Sequence, residues 1–119
     1  LSLAAFAAAR EITDPAAAAA ARAAGLAASS AYTHPLVDVQ QTKHIVGPAA
    51  YAALALELAQ GGDHAIGDQA VSWAIEQVTP EVCAILVQMP ARDIGRTRLE
   101  TLMYALDVRI RERHLPHGA

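Results

Sequence analysis

Thr97-Arg98-Leu99-Glu100-Thr101-Leu102-Met103-Tyr104-Ala105-Leu106-Asp107-Val108-Arg109-Ile110 is the stretch that decides the fold. Leu99, Leu102, Met103, Leu106 and Ile110 recur at i, i+3, i+4, i+7 and i+11, which lays five apolar side chains on one face of a helix. Thr97 with Glu100 three residues on reads as a capping box that starts it. Asp107 and Arg111 stand at i, i+4 in the favourable order, a pair worth about 0.2–0.5 kcal/mol. A helix this one-sided must bury its stripe against neighbours, and the rest of the chain supplies them.

Just upstream, Thr79-Pro80-Glu81 is a cap followed by a proline in the first turn, so Val82 to Met89 is expected as a short helix that ends at Pro90. Its apolar run predicts a helix buried on all sides, with Ala91 to Gly95 as the turn into the last helix. Ala65 to Val78 reads as another helix, with Ala70, Val71, Ala74, Ile75 and Val78 on one side and Trp73 beside them. Before it, Gly61-Gly62 closes a helical segment running from about Leu36 to Ala59, whose Val39, Val46, Ala50, Ala53, Leu54 and Leu58 fall near one face. Gly47-Pro48 interrupts that segment, and the expectation is a kink or two shorter helices meeting at Gly47.

Alanine fills nearly a quarter of the 119 positions and is concentrated before residue 60, which makes the first half strongly helical. A helix from Pro15 to about Ala31 starts at Thr13-Asp14-Pro15 and stops at Thr33-His34-Pro35; its Ala16–Ala21 run suits close helix packing. Leu1 to Ile12 is a further helical stump, and a start inside a helix suggests missing upstream residues. No segment alternates as a strand should. The expected fold is all-α, one compact domain over residues 1–119, a bundle of five or six short helices with no sheet.

Nine basic against twelve acidic residues give a net charge of -3 without a Lys/Arg block, which disfavours nucleic acid. No apolar run reaches the ~18–20 residues of a membrane span. Cys83 is single and lies in an apolar run, where it is expected as a small buried hydrophobe of a cytoplasmic protein. His34, His44, His64, His114 and His117 show neither His-x-x-x-His nor Glu-x-x-His spacing, so neither a metal nor a cofactor is expected. Ser29, Ser30 and Ser72 lack a nucleophile elbow, and Gly61, Gly62 and Gly67 lack the strand and the Lys-Ser/Thr of a phosphate loop, so no catalytic residue is nominated.

One polar line remains. Gln40, His44, Gly47 and Tyr51 recur at i, i+4, i+7 and i+11 in the segment before Ala59, beside Gln41, Thr42 and Lys43. Read as function, Gly47 admits another backbone or ligand between the hydrogen-bonding groups of His44 and Tyr51; read as structure, the line is an ordinary solvated face.

Two segments, Ala21-Arg22-Ala23-Ala24-Gly25-Leu26-Ala27-Ala28 and His44-Ile45-Val46-Gly47-Pro48-Ala49-Ala50-Tyr51-Ala52-Ala53, resemble bacterial immunity proteins of the immunity-protein-5-like group, associated with polymorphic toxin systems. The resemblance covers about Leu1 to Ala59. It implies a small all-helical protein, not an enzyme, that neutralises a cognate toxin by direct contact, with Arg22, Gly25, His44, Gly47 and Tyr51 as landmarks of the family.

Three readings follow. A protein-binding module predicts an exposed apolar or acidic patch, drawn from Asp63, Asp68, Glu76 and Glu81. A ligand-binding or enzymatic bundle predicts a pocket lined by His34, His44, Tyr51 and Trp73. A structural domain of a longer chain predicts neither. The apolar content, 54%, also makes a homodimer an expectation.

Overall fold

The computed structural model describes residues 3–4, 14–29 and 39–114 of the chain. Among the described residues from 14 onward five helices follow one another: α1 (Pro15–Ser29), α2 (Val39–Ala59), α3 (His64–Gln77), α4 (Pro80–Leu86) and α5 (Arg98–His114). Among the described residues there is no strand, as the periodicities require. Most of the stump at 1–12 and the Thr33-His34-Pro35 stop lie outside the described residues, as does His117.

The boundaries form where the sequence places caps. Asp14 accepts from Ala17 N at 3.0 Å ahead of Pro15, and Asp63 accepts from Ala65 N at 3.0 Å to open α3. Thr79 accepts from Val82 N at 3.4 Å to open α4. Thr97 Oγ1 accepts from Glu100 N at 3.1 Å and donates to Glu100 Oε1 at 3.0 Å, so the box closes hydroxyl to carboxylate. Helix α2 ends with Gly61 and Gly62 both left-handed (φ 74° and 82°), where Gly62 N donates to the Glu57 carbonyl and Gly61 N to that of Leu58. That pairing is a Schellman stop, open to glycine because it has no Cβ to clash.

Gly47-Pro48 does not divide α2, which runs unbroken from Val39 to Ala59 with Pro48 inside. A proline's fixed φ is itself helical, so the helix can continue through it with one hydrogen bond fewer. Buried Val46 on one side and Ala50 and Ala53 on the other hold both halves against the same core.

That core joins Val46, Ala50 and Ala53 of α2 to Val71 and Ile75 of α3, Cys83 and Leu86 of α4, and Leu102, Met103, Leu106 and Ile110 of α5. Leu99 packs on it from the edge. Leu86, Leu102, Leu106 and Ile110 are essentially inaccessible, each worth about 1.5–3 kcal/mol of hydrophobic burial. Helix α2 is central: α1 packs on it through small side chains, with Ala18 and Ala19 buried, while α3 and α5 cover its other side and α4 lies mainly against α5. Helix α4 is not buried all round. Cys83 and Leu86 face inward, but Ile85 is half exposed, because two turns resting on one long helix have one inner side.

Two polar clusters sit among these apolar faces. Glu57 of α2 is buried and receives Arg98 Nε and Nη2 at 2.9–3.1 Å; Arg98 Nη2 also donates to the His64 carbonyl and to Asp68. Asp107 of α5 is fully buried, and its Oδ2 accepts from Arg111 Nε at 2.9 Å and from Arg92 N at 3.4 Å. Through Asp107 the 91–95 turn is tied to α5 and to the buried Asp107–Arg111 pair, while Arg92 Nη1 reaches Thr42 of α2 at 2.8 Å.

Candidate functional site

The outer face of α3 is fixed by what its inner face meets. Gly67, Val71 and Ile75 are buried, at the i, i+4 and i+8 positions of one side. A Cβ on Gly67 would stand 2.0 Å from Glu57 Oε1, so the missing side chain is what lets the carboxylate and its Arg98 partner lie under the helix. Hydrogen bonding to Glu57 is the main cause holding the Arg98 guanidinium above its ordinary pKa, with Asp68 adding and burial opposing. Arg109 donates to Ser72 Oγ at 3.1 Å and Arg113 to the Ile75 carbonyl, so α5 grips α3 along most of its length.

With that side anchored, Gln69, Trp73 and Glu76 recur at i, i+4 and i+7 on the opposite side and all three are exposed. Trp73 is 65% exposed. Asp63, Asp68, Glu76 and Glu81, nominated from the sequence as an acidic patch, are all exposed on α3, its cap and the first turn of α4. Between His64 and Gln77 there is no lysine or arginine. An indole standing in water among carboxylates on a firmly held helix can serve as an anchor for a partner, the carboxylates supplying attraction for a basic one.

The exposure of Trp73 was missed because it neighbours the apolar positions in sequence. The signal lay in the angle: Trp73 is about 160–200° around the helix from Val71 and Ile75, at 100° per residue.

On α2, His44 and Tyr51 are half-buried, Gly47 is buried, and Tyr51 packs partly on the core; Gln40 lies in the first turn, and nothing of its side chain is described. Two cavities, one between the 87–92 segment and α5 and one around Val78, Pro80, Cys83 and Arg113, are lined by neither His44, Tyr51 nor Trp73. Among the described residues no three His, Cys, Asp or Glu are grouped so as to hold a metal ion, and no helix is long and apolar enough to cross a membrane.

Compared with known proteins, residues 1–81 match the model of a family described as Imm-5 like putative immunity protein. No curated protein and no solved structure matches the chain. The match extends past the segments that carry the resemblance, through all of α2 and α3 to the first turn of α4, and so includes the Trp73 face. With more than half of its length matched, the chain belongs to the Imm-5 like family of immunity proteins.

Proposed function

We propose that this chain is the cytoplasmic immunity partner of a bacterial toxin and neutralises it by direct contact, without catalysing a reaction. The observation that carries the reading is the family membership over residues 1–81. The α3 face supports it: a toxin with a basic surface docks on Trp73, with Asp68, Glu76 and Glu81 steering the approach. The polar line of Gln40, His44, Gly47 and Tyr51 on α2 belongs to the same proposal as a second contact line, since His44 and Tyr51 keep part of their surface accessible. Self-association as a homodimer is also part of it; light scattering that finds only monomer at about tens of micromolar removes that element.

Growth rescue tests the reading. The proposed cognate toxin, expected from an adjacent gene, is produced in a host with and without the intact chain, and the expected result is survival only when both are present. Death of the host with both proteins demonstrably produced and soluble overturns the proposal.

A further inference from the structure

The cavity between the 87–92 segment and α5 begins beyond the residues that the family model matches, and none of its lining belongs to α3. Its volume is about 440 Å³, within the ~300–1,000 Å³ of ligand sites. One wall is α5, where Tyr104, Val108, Arg111 and Glu112 stand at i, i+4, i+7 and i+8 and so share one face. At a rise of 1.5 Å per residue, Tyr104 and the consecutive Arg111 and Glu112 are about 11–12 Å apart along the axis, with Val108 between them. That wall is aromatic at one end, apolar in the middle and charged at the other end. Val87 and Ala91 add apolar surface from the facing segment.

The charged groups of the lining differ in what they have left to give. Asp107 has no accessible surface and acts only through Arg111, whose Nε it holds, while the Pro90 carbonyl holds Arg111 Nη2. Arg111 is thereby pinned at two nitrogens, and the N–H groups of its Nη1 remain for an acceptor. Arg92 Nη1 is spent on Thr42 of α2. Glu112 is exposed, and its carboxylate makes no hydrogen bond or ion pair with the described residues. A fixed cationic donor and an uncommitted carboxylate thus stand on consecutive residues. Arg92, Asp107, Arg111 and Glu112 together sum to zero charge, so a ligand with one charge meets a repulsion along with its attraction, whereas a ligand with both charges on neighbouring atoms gains twice.

From these features we infer that the cavity binds a free α-amino acid with a large apolar side chain. Its carboxylate accepts from Arg111 Nη1, and its ammonium, one carbon away, donates to the Glu112 carboxylate. The side chain then extends over Val108, between Val87 and Ala91, toward the Tyr104 ring, where an aromatic group finds a stacking partner. A peptide bond at either end of the amino acid removes one of its two charges, so the lining favours the free molecule over a segment of a chain. Because none of these residues lies on the α3 face, the site stands or falls apart from toxin docking there.

The test is a titration of the full chain with L-phenylalanine at neutral pH, followed in amide proton–nitrogen spectra. Saturable shifts centred on Ala91, Tyr104, Val108, Arg111 and Glu112 in the millimolar range are expected. 3-Phenylpropionate, which lacks the ammonium, and 2-phenylethylamine, which lacks the carboxylate, should each bind about tenfold more weakly, the worth of one charge-assisted hydrogen bond. L-Alanine, which keeps both charges and lacks the apolar body, should bind more weakly still. Glu112→Gln, at an exposed side chain without a partner, should leave the melting temperature unchanged and weaken L-phenylalanine about tenfold while 3-phenylpropionate binds no worse than before. No saturable shift at about 20 mM L-phenylalanine, where a millimolar site is nearly full, overturns the proposal. So do shifts centred elsewhere, equal binding of either singly charged analogue or of L-alanine, and unchanged affinity for L-phenylalanine in the Glu112→Gln variant.

Discussion

Replacing Arg98 by methionine isolates the ion pair that holds α2, α3 and α5 together. Arg98 donates from Nε to both Glu57 oxygens and from Nη2 to Glu57, the His64 carbonyl and Asp68. The Asp68 contribution is small, since that side chain is 67% exposed and such pairs are worth about 0–1 kcal/mol. The Glu57 contribution is not, because its carboxylate is 2% exposed and has no water to fall back on. Stripping the partner from a buried charge costs about 3–5 kcal/mol, a large share of the ~5–15 kcal/mol that holds a domain folded.

In urea, at a slope of about 1.5 kcal/mol/M, a 3 kcal/mol loss lowers the unfolding midpoint by about 2 M. Glu57→Leu combined with Arg98→Met should recover most of that loss, because an apolar pair of similar volume needs no desolvated charge. A single variant that loses under ~1 kcal/mol, or a double variant no better than the single, refutes the view that Glu57 is a buried charge kept in place by Arg98.

Leu106→Ala, at a side chain with 1% exposure, should cost about 2–5 kcal/mol in chemical denaturation, and a loss under ~1 kcal/mol would put that face outside the core. Gly67→Ala separates two expectations of opposite sign. Helix propensity alone predicts a gain of about 0.5–1 kcal/mol, whereas the 2.0 Å approach to the pinned Glu57 carboxylate predicts a loss of about 1–3 kcal/mol, and a stabilised variant would contradict the packing described. His44→Ala should weaken toxin capture with stability changed by no more than about 0.5 kcal/mol. Tyr51→Ala should lose stability as well, since part of its ring packs on the core. If both lose stability with no separate binding defect, the line is an internal seam.

The helices were legible because each boundary carries a residue with one physical job: Asp14, Asp63, Thr79 and Thr97 accept the first free N–H groups, and Gly61 and Gly62 adopt positive φ. The buried charges were legible only in part. Glu57 continues the line of Val46, Ala50 and Ala53 at i+11, and Asp107 sits among Met103, Leu106 and Ile110, so periodicity points both inward, although the sequence reading did not single out Glu57 and took Asp107 only as half of an i, i+4 pair. What periodicity could not supply was the partner, since Arg98 is 41 residues from Glu57 and Arg92 is 50 from Thr42. Gly67 reads in sequence as a weak point in a helix, and its use appears only when Glu57 is placed beneath it. The four exposed carboxylates were readable from their type, while the solvent-facing Trp73 required knowing which side of α3 meets the core.

Calorimetric titration of the proposed cognate toxin, sought among the products of the adjacent genes, with the intact chain and with Trp73→Ala tests the central claim most directly. The account predicts tight binding by the intact chain and a loss of about 30-fold or more in the variant, the equivalent of 2 kcal/mol at a central contact, with the melting temperature unchanged. Absence of binding by the intact, folded chain would contradict toxin neutralisation by contact, and equal affinity of the Trp73→Ala variant would contradict the α3 face as its seat.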